Sequence, residues 1–498
     1  MNSEIVIGLA GAIGTNFDKV ISLIGLHFSK AGYDLETIRM SCLLNEDVEI
    51  LERDVNYYND KIQKINDTVN NEGKKLEKKT RKDACNQLDL NDIKYSYLAY
   101  KAIEKIKNTR RKKKRVLILN SIKRPDEVNL LKYVYGDNFF LVSIYSSYED
   151  RKNMILHESY NDNDVECLND LFAKEKDEVT EGNEDVPYGQ KLLRTYPKAD
   201  FFMHEKFLFE DTERFFKLLF GYPFITPTRD EFAMHVAYGI MCKSSDMHRQ
   251  VGASIIDKRG NILAVGCNDT PKFGGGTYWD GDLEDHRDFA VLQNTQNKMP
   301  YVDQVREKIR EDIIKKLKQL ATGNNKKSII TFLDGNNVNA ALQDSEIKSL
   351  LEFYRSVHAE VAAITAAAYN GIAIKGQKLY CTTFPCHLCC KAIISGGLKE
   401  VFYIEPYPKS RSKYFYEDMI VDKPDNKEIE KNKVIFNSYR GVSPTNYTRF
   451  FMAKNKYERI VSDKINKFDV NTKSIPALLK TRTPSHYAYS EKYVLKLW

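Results

Sequence analysis

Two short segments constrain this chain more than any others: His358-Ala359-Glu360, and then Pro385-Cys386-His387-Leu388-Cys389. One imidazole nitrogen and two thiolates at this spacing suit a single zinc ion whose fourth position stays open to water. A C-x-x-C pair at the start of a helix can set both sulfurs on one ion, and the helix N-terminus favours the thiolate form. The run from Ala359 to Ala368 is rich in helix formers, so His358 and Glu360 are expected in a first helical turn. Between the motifs, Lys378 to Thr383 reads as a strand. The expected unit is helix, strand, helix, with both helix starts meeting at the metal. A closed structural zinc site is the rival reading, with His387 or Cys390 as fourth ligand. Glu360, two residues after the histidine, would have no part in it.

H-x-E followed by P-C-x-x-C is the pattern of zinc-dependent deaminases. In that chemistry zinc lowers the pKa of water to roughly 7. Glu360 would take the water's proton and pass it to a ring nitrogen, while hydroxide attacks the amidine carbon and ammonia leaves.

The N-terminal half opens with an apolar run, Glu4 to Leu9, then Ala10-Gly11-Ala12-Ile13-Gly14-Thr15-Asn16 and an amphipathic helix from about Asp18 to Ala31. Strand, glycine-rich turn and helix are the frame of a P-loop, which nominates Gly8, Gly11, Gly14 and Thr15 for nucleotide binding. Thr15 and Asn16 stand where a lysine and a hydroxyl residue complete that motif, so phosphoryl transfer would lack its charge clamp. Backbone amides and the helix start could still cradle a phosphate, and a structural relic is the third reading. Residues 46–108 are charged and look helical. The basic run Arg110 to Arg115 reads as a solvated loop, with a phosphate or RNA contact as the sharper alternative. Strands at 116–120 and 139–144 alternate with helices, as in a parallel α/β layer. Residues 158–190 are acidic and polar, and suit a lid or loop.

In the C-terminal half, Thr228 to Cys242 reads as a helix with a threonine cap. Val251 to Asp257 and Ile262 to Gly266 read as a hairpin. A loop over 267–279, a charged helical insertion over about 290–355, and a cation-rich loop over 405–413 follow. The tail from 456 is basic and weakly patterned. A chain of 498 residues accommodates the resulting division: 1–215, 222–455 and 456–498. Net charge of +7 suits an anionic substrate such as a nucleotide. Nine scattered cysteines read as reduced thiols apart from the two at the metal, which points to the cytoplasm. No apolar run reaches the ~18 residues of a membrane span, and no signal peptide is expected at the start.

The segments RQVGASIID (249–257), CNDTPK (267–272), HAEVAA (358–363) and TTFPCHLCC (382–390) resemble the deoxycytidylate deaminases of the cytidine deaminase-like superfamily. With SIKRPDEVNLLKYVYGDNFFLVSIYSS (121–147), PTRDEFAMHVAYG (227–239), GGGTYW (274–279), EPYPKSRSKY (405–414) and FNSYRGVSP (436–444), the chain looks like the two-domain bacterial anti-phage dCTP deaminases. The resemblance implies an α/β fold: an N-terminal P-loop kinase-like parallel-sheet domain, then a cytidine deaminase-like α/β/α zinc domain. It implies deamination of dCTP and dCMP, depletion of the dCTP pool as antiviral defence, restraint by a small inhibitory RNA, a regulatory nucleotide at the N-terminal domain, and a homo-oligomer. By position it assigns zinc to His358, Cys386 and Cys389, the proton shuttle to Glu360, and sugar or base binding to Asn268. Arg249, Lys272 and Lys409 are the candidate phosphate cations, and backbone groups near Ala359 and Pro385 the candidates for reading the cytosine edge. A tRNA or single-stranded DNA deaminase and an inert nucleotide- or RNA-sensing protein are the competing readings.

Overall fold

The computed structural model describes residues 3–43, 96–111, 113–158, 191–293, 299–320, 326–343, 353–406, 410–422, 432–469, 476–479 and 484–497, with single positions between 344 and 351. The chain divides into Met1–Glu231 with Ser438–Trp498, and Phe232–Asn437.

The first unit is built on β1 (Glu4–Gly11), whose eight residues are all buried. Such a near-continuous apolar run is what a central parallel strand requires, with both faces covered. β2 (Asp34–Arg39), β3 (Arg115–Asn120), β4 (Phe139–Tyr145) and β5 (Phe201–His204) give the spatial order β5-β4-β1-β3-β2, all parallel. The expected parallel α/β layer is therefore present. Helix α1 (Phe17–Lys30) follows the turn after β1 and buries Val20, Ile24 and Phe28 against that sheet. Its first turn is capped by Asn16, whose side chain accepts from Lys19 N at 3.0 Å. Helices α2 (Tyr97–Asn108), α3 (Pro125–Tyr135) and α4 (Leu208–Leu219) complete the layers. Most of the charged stretch expected to be helical over 46–108 and the acidic stretch 158–190 lie outside the described residues.

Two expectations are corrected here. The tail expected from 456 carries core residues, and residues 438–455, expected in the zinc domain, belong with it to the first unit. Gly441–Val442 pairs antiparallel with β5, and Val442, Phe450, Leu478 and Leu479 join the apolar core of this unit. The chain then forms a helix, Pro484–Leu497. The basic run 110–115 is also not simply solvated at its ends. Strand pairing sets Arg115 beside Glu4, and Arg115, 1% exposed, also reaches Glu36 at 3.1 Å. Arg110 bonds Glu4 at 2.9 Å and Glu491 of the last helix at 2.8 Å. Tyr487 donates to Glu4 at 2.8 Å. These arginines are consumed by carboxylates rather than left for RNA.

The division falls within the first turn of α5 (Arg229–Met241), most of which belongs to the second unit. Thr228 and Glu231 cap it reciprocally, with Glu231 N to Thr228 Oγ1 at 3.1 Å and Thr228 N to Glu231 Oε2 at 2.8 Å. Its sheet holds β6 (Gly252–Ile256), β7 (Ile262–Cys267), β8 (Lys378–Thr383), β9 (Glu400–Glu405), β10 (Ile420–Asp422) and β11 (Val434–Ser438), in the order β10-β11-β9-β8-β6-β7. β6 and β7 form the expected antiparallel hairpin, and β8 lies parallel to β9. Helices α6 (Ala359–Tyr369) and α7 (His387–Ser395) flank β8 in sequence, as the motif spacing requires. Between them and the hairpin lies the helical insertion: Tyr301–Leu320, Lys326–Leu333 and Asn336–Gln343.

Glycine lets the layers close. A β-carbon on Gly252 would lie 2.0 Å from the Ala237 carbonyl oxygen of α5. On the other face of the hairpin, a β-carbon on Gly266 would lie 2.4 Å from Ala363 N and 2.5 Å from the Ala359 carbonyl oxygen of α6. The hairpin is thus in backbone contact with both helices, and α6 carries Glu360 in its first turn.

Candidate metal centre

His358 is the N-cap of α6 and Cys386 the N-cap of α7, so both stand where helical N–H groups lack intrahelical acceptors. A short bridge fixes the approach to His358: Val357 N donates to the Asp269 carbonyl at 2.9 Å. Cys389 lies one turn into α7. His358 Nδ1 is 3.2 Å from Cys389 Sγ and 3.3 Å from Cys386 Sγ, and the two sulfurs are 3.6 Å apart.

These separations can be compared with a tetrahedral zinc site. Bonds of about 2.3 Å to sulfur and about 2.0 Å to nitrogen give edges of about 3.8 Å between sulfurs and about 3.5 Å between nitrogen and sulfur. The observed triangle is within a few tenths of an ångström of that, and the donor set suits zinc. Cys390 is not in the cluster. Burial pushes its thiol up to about 12. His387 instead packs its ring against Phe415, with centroids 5.6 Å apart. The closed four-ligand alternative therefore lacks its fourth ligand among the described residues, and three protein ligands are the number of a catalytic site.

Glu360 is 4% exposed, and its Oε2 lies 3.3 Å from Cys389 Sγ. Burial raises its carboxyl above the ordinary range, and the Cys386 charge adds to this. Cys386 is drawn down to about 4 by its hydrogen bond with Cys389 against the effect of burial, with His358 adding to the pull. His358 is held at about 9: burial opposes its charge, and Cys386 and Glu360 outweigh burial. Cys386 is thus drawn toward its thiolate form, and a buried carboxyl lies beside Cys389 of the same cluster.

The other nominated residues are placed differently. Asn268 is 8% exposed and its amide is largely spent within the loop. Oδ1 accepts from Val251 N at 2.6 Å and Ser244 Oγ at 2.9 Å, and Nδ2 donates to the Arg249 carbonyl at 2.6 Å. One amide hydrogen remains for a ligand. Arg249 forms an ion pair with Glu405. Lys272 pairs with Asp282 at 2.8 Å. Lys409 lies outside the described residues. The Pro385 carbonyl accepts from Ser410 Oγ at 2.8 Å and Ser412 Oγ at 3.0 Å, which uses both lone pairs. Sequence reasoning missed these two serines; the run Lys409-Ser410-Arg411-Ser412 drew attention to its cations instead.

In the first unit, Gly11, Gly14 and Thr15 meet at the turn after β1, and Gly14 adopts φ 82°. Gly8 does not. It pairs with Leu119 and Leu141 inside the sheet, where a β-carbon would lie 2.3 Å from Ile122 Cδ1. Its place is set by packing, not by a ligand.

Residues 227–405 match the family model described as "Cytidine and deoxycytidylate deaminase zinc-binding region". The chain is similar to the deoxycytidylate deaminase of Enterobacteria phage T2, 27% identical over 178 residues, which are 36% of this chain and 80% of that protein. The deoxycytidylate deaminase of Enterobacteria phage T4 is also 27% identical over 178 residues, covering 78% of its length. ComE operon protein 2 of Bacillus subtilis is 43% identical over 53 residues, 11% of this chain and 28% of that one. Among solved structures, the dCMP deaminase from cyanophage S-TIM5 in complex with dCMP and dUMP covers 43% of this chain and 99% of its own, at 19% identity and a TM-score of 0.23. Among the described residues no helix is long and apolar enough to cross a membrane.

Proposed function

We propose that this protein deaminates deoxycytidine nucleotides, dCTP and dCMP, to their deoxyuridine counterparts, a reading supported by the match of residues 227–405 to the cytidine and deoxycytidylate deaminase zinc-binding region. The observation that carries the reading is Glu360 set against a His358–Cys386–Cys389 cluster with no fourth protein ligand among the described residues.

His358 Nδ1 and the two thiolates would hold the zinc. When bound, zinc acts as a Lewis acid that makes water a nucleophile near neutral pH. Glu360 accepts the proton of the attacking water, delivers it to N3 of the pyrimidine, and serves the departing amino group in the same way. Water and cytosine become uracil and ammonia, and Glu360 ends as it began. The carboxyl is 4% exposed, so its protons go to substrate rather than bulk solvent. The Ala359 N–H, in the first turn of α6, is a donor for the base edge. The Pro385 carbonyl is engaged by Ser410 and Ser412, and its part in the reaction is to hold Cys386 in place.

We further read the enzyme as an anti-phage device that drains the dCTP pool, with the N-terminal unit as its P-loop-derived regulatory part and a small RNA as its restraint. Support for the regulatory part is the strand, glycine turn and helix at the middle of a parallel sheet.

Ammonia release from the purified, zinc-loaded chain tests the reading, with dCTP, dCMP, CTP, dATP and a cytosine-containing oligonucleotide as substrates. Turnover of dCTP and dCMP is expected. Turnover of the oligonucleotide alone overturns it.

A further inference from the structure

The three residues that lead into His358 are each held by a different aspartate. Arg355 Nη1 donates to Asp288 Oδ1 at 2.5 Å. Ser356 Oγ donates to Asp246 Oδ2 at 2.7 Å. Val357 exchanges two backbone hydrogen bonds with Asp269, at 2.9 and 3.3 Å. Asp246 stands apart in what else it holds. Its Oδ1 accepts from His248 N at 2.9 Å and from Arg249 N at 3.3 Å. One carboxylate thus joins the loop before β6 to the segment before α6. The two residues ahead of it tie the same loop to the end of β7: Ser244 Oγ donates to the Asn268 carbonyl at 2.6 Å, and Ser245 Oγ to Asp269 Oδ1 at 2.9 Å.

Side-chain bonds matter here because backbone pairing is scarce. Residues 244–251 and 354–356 belong to no helix or strand, and the Asp269–Val357 pair is an isolated bridge. His358 takes the N-cap position in extended backbone, at φ −69° and ψ 151°, so the place of its ring follows from where residues 355–357 bring the chain. A metal ligand has little latitude, about 0.2 Å in bond length. The Asp246 side chain is 8% exposed, and a carboxylate so far from water is stable only where hydrogen bonds replace its hydration. Three donors from two segments do so, and their shared need of one carboxylate fixes the segments to each other.

We infer that Asp246 is a positioning residue for the metal. It holds Ser356, 110 residues further on, and through Ser356 it keeps His358 Nδ1 where the two sulfurs converge. The same carboxylate keeps the His248–Arg249 backbone in step, so the metal ligand and the loop before β6 are fixed as one piece. An amide cannot replace the carboxylate in this. Asparagine offers one acceptor oxygen, which can serve the loop or the serine but not both. The inference rests on the His358–Cys386–Cys389 cluster being a zinc site, and not on which nucleotide is turned over.

Zinc affinity of the full chain tests the inference. The zinc-loaded chain and its variants are equilibrated against chelator-buffered zinc, and bound metal is read by elemental analysis, with Tm measured at saturating zinc. Asp246→Asn and Ser356→Ala should each weaken zinc binding about ten- to a hundredfold, the usual effect of removing an outer partner of a metal ligand. Ser356→Thr keeps the hydroxyl and should restore near-native affinity. Asp257→Asn is the control. Asp257 Oδ1 also accepts from two backbone N–H groups, those of Arg259 and Asn261, at 2.8 and 2.9 Å, but in the turn of the hairpin. Whatever it does to Tm, it should leave zinc affinity unchanged. Native zinc affinity in Ser356→Ala overturns the inference. Equal weakening by Ser356→Thr also overturns it, by placing the effect in packing. Equal weakening by Asp257→Asn does the same, by making it a general loss of stability. A native chain that holds no zinc refutes the metal reading itself, and the inference with it.

Discussion

Gly266→Ala joins packing to chemistry most directly. The added β-carbon would lie 2.4 Å from Ala363 N and 2.5 Å from the Ala359 carbonyl oxygen, where ordinary contact begins at 3.4 Å. Both neighbours are backbone, so β7 and α6 must part by about 1 Å (3.4 − 2.4). Glu360 is the second residue of α6, and His358 is its N-cap. The shift therefore falls on a zinc ligand and on the proton shuttle together. Overpacking of this kind costs about 1–3 kcal/mol of stability, and a displacement of about 1 Å at a reacting centre costs on the order of a hundredfold in rate. The assay is kcat/KM on dCMP and dCTP, with zinc content and Tm measured on the same preparation. Gly239→Ala is the control. It lies in α5 with no atom within 4 Å of its new β-carbon, so activity should hold and Tm should not fall. A Gly266→Ala chain with native kcat/KM, zinc content and Tm would refute the argument that this close approach positions α6.

Glu360→Gln should lower turnover by about a hundred- to ten-thousandfold while elemental analysis still finds one zinc per chain; activity near native would remove Glu360 from its role. Cys386→Ala should emerge with little zinc, and full zinc occupancy would break the three-ligand assignment. Burial raises Glu127 to about 7, above its ordinary 4.5. The stability linked to that proton is fully present below about pH 4.5 and is lost as pH rises through 7, about 3 kcal/mol in all. Glu127→Gln keeps the acceptor oxygen and should flatten the dependence of urea unfolding between pH 5 and 8; an unchanged slope would refute it. Glu491→Gln weakens a buried pair with Arg110 and should lower the Tm of the N-terminal unit, with no change in zinc content.

The metal cluster was legible because all its parts are local. His358 and Glu360 share one helical turn, Cys386 and Cys389 share another, and β8 between them fixes their approach. β1 was legible for the same reason, since an unbroken apolar run needs no partner to be recognised. What escaped was decided by contacts across the chain. Arg110 looked solvated because Glu4 and Glu491 lie 106 and 381 residues away, and Arg115 because Glu4 lies 111 residues away. Asn268 looked free because nothing in its own segment shows that Val251 N occupies its oxygen. Gly8 looked like part of the phosphate turn because the chain alone does not reveal that Ile122 and Phe139 press on it.

The interleaving of the two units also has a consequence in time. Residues 232–437 form one unit, and the other is completed only by 438–498. A ribosome therefore releases the whole metal-binding unit before Glu491 and Tyr487 exist to meet Arg110 and Glu4. Until then the nascent N-terminal sheet holds a carboxylate at the start of β1 and two arginines with part of their counter-charge unsynthesised. The zinc cluster can assemble during translation, and the N-terminal unit closes last.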